Sequence, residues 1–219
     1  MTQAMTEQTL VRDSLLQLGA ATLHEAQGQT GAFASAIKPL DPRRRLAGPA
    51  MTIDAKPGDN LVIHHALRFA QPGDVLVVDA KGYAEAGPWG DILTLAAQRI
   101  GIAGLIIDGA VRDSDSILEM GFPVFSRGLS ICATQKNQPG QVGLPIICGG
   151  VPVNPGDWIM GDRDGVVVIP RRNVTTVIAA AKAREAVEIA LREGIAAGKS
   201  TVELLSLQSS LRRVGLERG

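Results

Sequence analysis

Between Asn60 and Ser126 the chain alternates short β-branched apolar runs with helical segments, and this alternation constrains the fold more than any other feature. VLVVD at 75–79 and GLIID at 104–108 are too short for core helices and are bounded by turn-forming residues, so they read as buried strands. Between them, Pro88 suits the first turn of a helix containing Trp89 to Ile100, with Asp91 near its start. Upstream, Asn60 is a suitable N-cap for a helix over LVIHHALRFA, closed by Pro72 and Gly73. Downstream, the tight segment Gly109 to Asp113 leads into a short helix over Ser114 to Met120, which Asp113 is placed to cap, and PVFS at 123–126 reads as a further strand. This βαβα rhythm predicts an α/β layer with a partly parallel sheet.

The flanks differ. Leu10, Val11, Leu15 and Leu18 fall at helical spacing, predicting an N-terminal helix over 7–18 that Gly19 ends. After Gly128, short apolar segments at 145–147, 151–153, 158–160 and 166–169 are separated by PGD and GDRDG turns, predicting a β-rich second half packed on the first. The Ala-rich stretch from Arg172 to Arg192 is helical in period, Gly194 and Gly198 should break it, and a short helix from Ser200 should complete a tail over 172–208. PGD recurs at 57, 72 and 155 at unequal spacing, which is three turns of one type and not an internal repeat.

Of 219 residues, 45% are hydrophobic, enough to bury one substantial core, and no run is long enough to span a bilayer, so one soluble unit over 1–219 without a membrane partner is expected. Basic and acidic residues each total 22, so no global positive field favours nucleic acid. Arg43, Arg44 and Arg45 lack interleaved aromatics and read as a solvated turn after Pro42. Cys132 and Cys148 make no disulfide framework, neither lies in a His-paired nucleophile motif, and no secretory signal opens the chain, so a reducing, cytoplasmic setting is expected.

Twenty residues separate Asp91 from Arg112, and Asp113 follows directly. If the strand from Gly104 runs antiparallel to the preceding helix, its C-terminal end lies beside the helix N-terminus and the three residues converge in the usual ligand crevice of an open α/β sheet. The N–H groups of Ile92 and Leu93 would favour an anion there, and the Arg112 fork matches a carboxylate bidentately. Asp113 and Asp91 would supply hard oxygen ligands suited to Mg²⁺ or Mn²⁺. The plainer reading of the same residues is a loop ion pair and a helix-opening cap, and the residues alone leave both open. Asp108 reads as a turn residue.

The stretch from about Ala47 to Pro170 resembles the family that joins the class II 4-hydroxy-4-methyl-2-oxoglutarate / 4-carboxy-4-hydroxy-2-oxoadipate aldolases with the regulator-of-ribonuclease-activity A proteins. The resemblance rests on RLAGPAMT at 45–52, PGDVLVVD at 72–79, GPWGD at 87–91, GLIIDGAVRD at 104–113, GFPVFSRG at 121–128 and VPVNPGDWIMGDRDGVVVIP at 151–170. It implies a single swivelling β/β/α-type domain with a central mixed sheet and a core over about 45–170. The aldolase branch is marked by Asp, twenty residues, then Arg-Asp, which Asp91, Arg112 and Asp113 match. That match implies a metal-dependent lyase yielding pyruvate from a 4-hydroxy-2-oxo acid, with oxaloacetate decarboxylation as a companion activity and aromatic degradation as a setting.

The same resemblance implies that Asp113 binds the metal directly, Asp91 meets it through water, Arg112 holds the pyruvyl carboxylate, and Gly90 with the N–H groups of Ile92 and Leu93 supports the substrate. It further implies a glutamate from a neighbouring subunit's C-terminal helix, met by Glu185 with Glu188 as the alternative, and a trimer or dimer of trimers. Lys56 and Lys81 read as surface charge, so no Schiff base is expected. His64 and His65 lack ligand spacing, while His24 or Arg43 to Arg45 could meet a distal carboxylate. The rival expectation is a non-enzymatic regulator acting through a protein surface, against which Asp91 argues.

Overall fold

The structure, a computed structural model, describes residues 2–216, so the ends of the expected 1–219 unit lie outside the described residues. The chain runs through α1 (Thr2–Leu18), α2 (Ala20–Ala26), β1 (Lys38–Pro39), β2 (Leu46–Asp54), α3 (Leu61–Ala66), β3 (Val75–Tyr83), α4 (Asp91–Ile100), β4 (Gly104–Val111) and α5 (Ser114–Met120). There follow β5 (Val124–Ser126), β6 (Gly128–Leu129), β7 (Gln141–Val142), β8 (Ile146–Cys148), β9 (Val151–Val153), β10 (Trp158–Gly161), β11 (Val166–Ile169), α6 (Val174–Ala196), α7 (Thr201–Leu204) and α8 (Gln208–Arg213).

The main sheet is ordered β1-β5-β4-β3-β2-β10-β11. β2 to β5 pair in parallel, as the rhythm predicts, and β1, β10 and β11 add antiparallel edges. Strands β3 and β4 are continuous apolar runs because both faces are covered. Leu76 and Val78 join Ile53, Trp89, Leu93, Leu105 and Ile107 in a core under α3, α4 and α5. Val75 and Val77 alternate to the opposite face, where Phe33, Phe125, Ile146 and Ile159 form a second core. A third packs α1, α2 and α6 on the outer strands through Leu15, Leu23, Met160, Val167 and Val177.

Several expectations need correction. The second half is β-rich as expected, from β6 to β11, but it is not a layer laid on the first: β10 and β11 extend the central sheet through β2, and the only free-standing pair among the described residues is β8-β9. Strand pairing is a long-range property that local turn signals do not carry. Gly19, at φ 82, ends α1, but α2 follows it at once. Asn60 stands at the α3 N-cap without capping it; its Nδ2 donates to the Pro88 carbonyl at 2.9 Å, and Asp59 Oδ1 accepts the Leu61 N–H instead. Helix α3 stops at Ala66, and Pro88 lies before α4 in the loop. Gly194 does not break α6; the space it leaves is taken by Leu204 of α7, and Gly198, at φ 87, ends the run. Ser200 closes a reciprocal capping box with Glu203, so the short helix begins where expected.

Candidate active site

The site is built where β4 ends and α4 begins. Trp89, fully buried, makes a parallel bridge to Val111, and its carbonyl accepts the Arg112 N–H at 2.9 Å. Its indole stacks on Phe122 at 6.2 Å between ring centroids, and Nε1 donates to Thr94 Oγ1 at 2.7 Å, which in turn donates to the Gly90 carbonyl at 2.9 Å. The loop before α4 is thereby fastened to the strand end, bringing Asp91 beside Arg112 and Asp113.

Glycine permits this approach. A side chain at Gly90 would overlap Asp113 Oδ2, and one at Gly87 would press into Arg112 Cβ and the Ser130 carbonyl. Asp113 adopts φ 55, ψ 40, a left-handed conformation that Asp tolerates better than most non-glycine residues. Its side chain does not cap α5, contrary to expectation. Oδ2 turns toward α4, accepting the Asp91 N–H at 3.3 Å and lying 3.5 Å from Arg112 Nε. The Ile92 N–H donates to Asp91 Oδ1 at 2.7 Å. The result is a cleft of about 170 Å³ lined by Asn60, His64, Pro88, Gly90, Asp91, Ile92, Leu93, Arg112, Asp113 and Lys136.

Comparison with known proteins decides the family. A family model described as RraA-like, Aldolase/RraA, matches residues 10–168. The chain belongs to this RraA-like family. A relative from Halalkalibacterium halodurans, named "Putative 4-hydroxy-4-methyl-2-oxoglutarate aldolase", is 45% identical over 152 residues, covering 69% of this chain and 72% of its own. A crystal structure of an uncharacterized Pseudomonas syringae protein superposes with a TM-score of 0.79 at 29% identity, covering 90% of this chain and 96% of its own. Another, Streptomyces coelicolor RraAS2, titled an unusual member of the RNase ES inhibitor RraA protein family, superposes at 0.74 with 31% identity, covering 83% and 95%.

Within this RraA-like chain, the structure gathers Gly90, Asp91, Ile92, Leu93, Arg112 and Asp113 around one cleft, as the spacing predicts. Glu185 and Glu188 do not line it; they lie on α6, which packs against α1 and α2, and Glu188 pairs with Arg192 at 2.8 Å. His24 Nδ1 is 2.9 Å from the Thr30 carbonyl, Arg43 pairs with Asp41 at 2.9 Å, and Arg45 donates to the Leu16 carbonyl at 2.7 Å, so these groups are engaged away from the cleft. Lys81 is not simple surface charge: it sits between Asp54 and Asp79. Nor is Asp108 a turn residue. It is buried in β4, ion-paired to Arg127, and accepts the Gly149 N–H at 2.9 Å. Cys148 is a packing residue whose thiol burial pushes well up, away from the reactive thiolate.

Asn60, His64 and Lys136 were missed by sequence reasoning. Asn60 is 5% exposed, and its Oδ1 has no hydrogen-bond partner among the described residues. For His64, burial first and the Lys136 charge second hold the ring below its ordinary value, leaving it neutral at pH 7. Adjacent histidines carried the only signal, since helical period alone turns one of them to each side. No cluster of three or more His, Cys, Asp or Glu among the described residues could hold a metal. Two neighbouring carboxylates, Asp91 and Asp113, nonetheless suit a hard cation that keeps several waters, and they do not suit a closed zinc site.

Proposed function

We propose that this chain is a divalent-metal-dependent lyase that cleaves a 4-hydroxy-2-oxo acid, of the 4-hydroxy-4-methyl-2-oxoglutarate or 4-carboxy-4-hydroxy-2-oxoadipate type, to pyruvate and a second oxo acid. The observation that carries this reading is the convergence of Asp91, Arg112 and Asp113 at the N-terminus of α4, beside a cleft of metabolite size. Arg112 holds the C1 carboxylate with its planar fork, and the first-turn N–H of Leu93 adds a donor. Asp113 would hold Mg²⁺ or Mn²⁺ directly and Asp91 through water. When bound, the ion offsets the negative charge that develops on the pyruvyl oxygens.

In the reaction the C4 hydroxyl loses its proton, the C3–C4 bond breaks, its electron pair passes to the pyruvyl enolate, and C3 is then protonated. Asp91 orders the water that relays the proton, and Arg112 stabilises the enolate side. Loss of CO₂ from oxaloacetate gives the same enolate, so decarboxylation accompanies cleavage. Glu185 joins the site only from a neighbouring subunit, which makes a trimer or dimer of trimers part of the proposal.

The test is pyruvate release from 4-hydroxy-4-methyl-2-oxoglutarate and from oxaloacetate with Mg²⁺, with EDTA, and with Asp113→Ala. Metal-dependent release that vanishes in the variant supports the lyase. A folded, metal-supplied protein that releases none favours the second reading, a protein-binding regulator, to which the likeness to the RNase ES inhibitor family member points.

A further inference from the structure

The carboxyl ends of β2, β3 and β4 carry a row of charge that lies outside the cleft. Asp54 stands opposite Asp79 in the β2–β3 register, and Asp79 and Asp108 come one step beyond the Val78–Ile107 pair. By the two-residue period the three follow Ala50, Val77 and Ile106 on the face of the second core, while α4 packs on the other face. Carboxylates on neighbouring strands repel one another in such a shielded place unless cations lie between them. Two do. The Lys81 N–H donates to Asp79 Oδ1 at 2.9 Å and its Nζ pairs with both Asp54 and Asp79. Arg127 pairs with Asp108, whose other oxygen accepts the Gly149 N–H at 2.9 Å.

The second pair bears on the site through the backbone. Strand β6 is only two residues long, pairing with Ala110 and Val111, yet the segment 127–132 that contains it forms one side of the site. The Arg127 N–H donates to the Gly109 carbonyl at 2.8 Å, the Ser130 N–H to the Val111 carbonyl at 2.9 Å, and the Cys132 carbonyl accepts the Gly87 N–H at 3.0 Å. This segment therefore holds both the end of β4, which Arg112 follows, and the loop that faces it. At its head the ion pair is shielded, with the side chain of Arg127 28% and that of Asp108 9% exposed. The β3 bulge that Lys81 secures, with Lys81 and Gly82 both left-handed, brings Gly82 against the guanidinium, where a Cβ would lie 3.6 Å from Arg127 Nε. We propose that Arg127, through its pair with Asp108, is a positioning residue for Arg112: it fastens the segment that fixes the direction of the Arg112 fork in the cleft. The assignment rests on the lyase reading for the reaction that Arg112 serves.

The first arm of the test is a double-mutant cycle in pyruvate release from 4-hydroxy-4-methyl-2-oxoglutarate with Mg²⁺. Arg127→Met should lower kcat/KM about tenfold, part of the roughly hundredfold that a misplacement of about 1 Å costs, and Arg127→Lys should restore most of it. In the Arg112→Lys background, where no fork is left to aim, the same Arg127→Met change should cost less than about twofold. Equal losses in both backgrounds, or none in either, overturn the assignment. Arg127→Met leaves Asp108 buried without its cation, so Asp108→Asn combined with Arg127→Met is measured beside it and should show the same split. The second arm needs no turnover. Hydrogen exchange of Arg127→Met should rise about tenfold in residues 110–114 as well as 127–132, with α6 unchanged. Loosening confined to 127–132, or spread evenly into α6, overturns the assignment whatever the substrate. A wild type that releases no pyruvate defeats the lyase reading instead, and the exchange arm then judges the placement by itself.

Discussion

At the scale of single residues, the proposed chemistry rests on two features, a close approach that a larger side chain would block and a planar charge that a round one would not reproduce. Arg112→Lys replaces a planar fork by a point ammonium, and we expect kcat/KM to fall about a hundredfold in pyruvate-release assays with the fold unchanged, since the bidentate grip is lost. Gly90→Ala places a methyl where Asp113 Oδ2 lies. That variant should lose a similar factor while keeping its circular dichroism, and an alanine variant of wild-type activity would show that Asp113 need not sit there. That Asp91, Arg112 and Asp113 meet in space was legible from their spacing, whereas their role came only from the family resemblance, since the residues alone allow a loop ion pair and a helix cap equally. Lys136 was not legible, because an isolated lysine in a polar loop has no periodic or motif signature, and its placement comes from Asp59 seventy-seven positions upstream.

At the scale of elements, the site depends first on the bridge from Trp89 to Val111 with its indole bond to Thr94. Thr94→Val removes the acceptor of a fully buried indole N–H, which costs about 1–3 kcal/mol. Urea denaturation should show that loss together with a lower kcat, whereas a loss of stability without any kinetic change would mean that the joint supports the core alone. Asp59 governs a second joint. Burial alone would raise its carboxyl, but the N–H donors of Asn137, Leu61 and Gln138, aided by Lys136, outweigh this and hold it below the ordinary 3.8. A carboxyl lowered on folding contributes stability above its unfolded value and loses it as the pH falls through the lower folded one. Wild-type stability should therefore fall below about pH 4 more steeply than that of Asp59→Asn, as followed by urea midpoints across that range. Strands β3 and β4 and helices α4 and α5 were readable because each has its own period and punctuation. Attachment of β10 to β2 was not, since antiparallel pairing between residues so far apart leaves no local trace.

At the scale of the whole molecule, α6 projects apolar groups, with Val187 61% and Ile189 53% exposed, along a helix whose inner positions pack on α1 and α2. Light scattering should find a particle several times the chain mass, and Val187→Glu with Ile189→Glu should shift it toward the monomer. A monomer at every concentration would remove Glu185 from the site. The fold class was legible because its central layer is strongly patterned, whereas assembly depends on a surface whose partner the sequence does not describe. The bridge between Trp89 and Val111 carries one more consequence. It sets the geometry of the cleft through backbone and buried aromatic contacts, while Arg112 and Asp113 remain about four-tenths exposed and contribute nothing to the core. Scaffold and reaction can therefore be inherited separately: a descendant that exchanged Asp91 would still fold around the same vacant geometry, and one later substitution could restore the chemistry. A lineage containing both catalysts and silent binding proteins is the expected outcome of that arrangement.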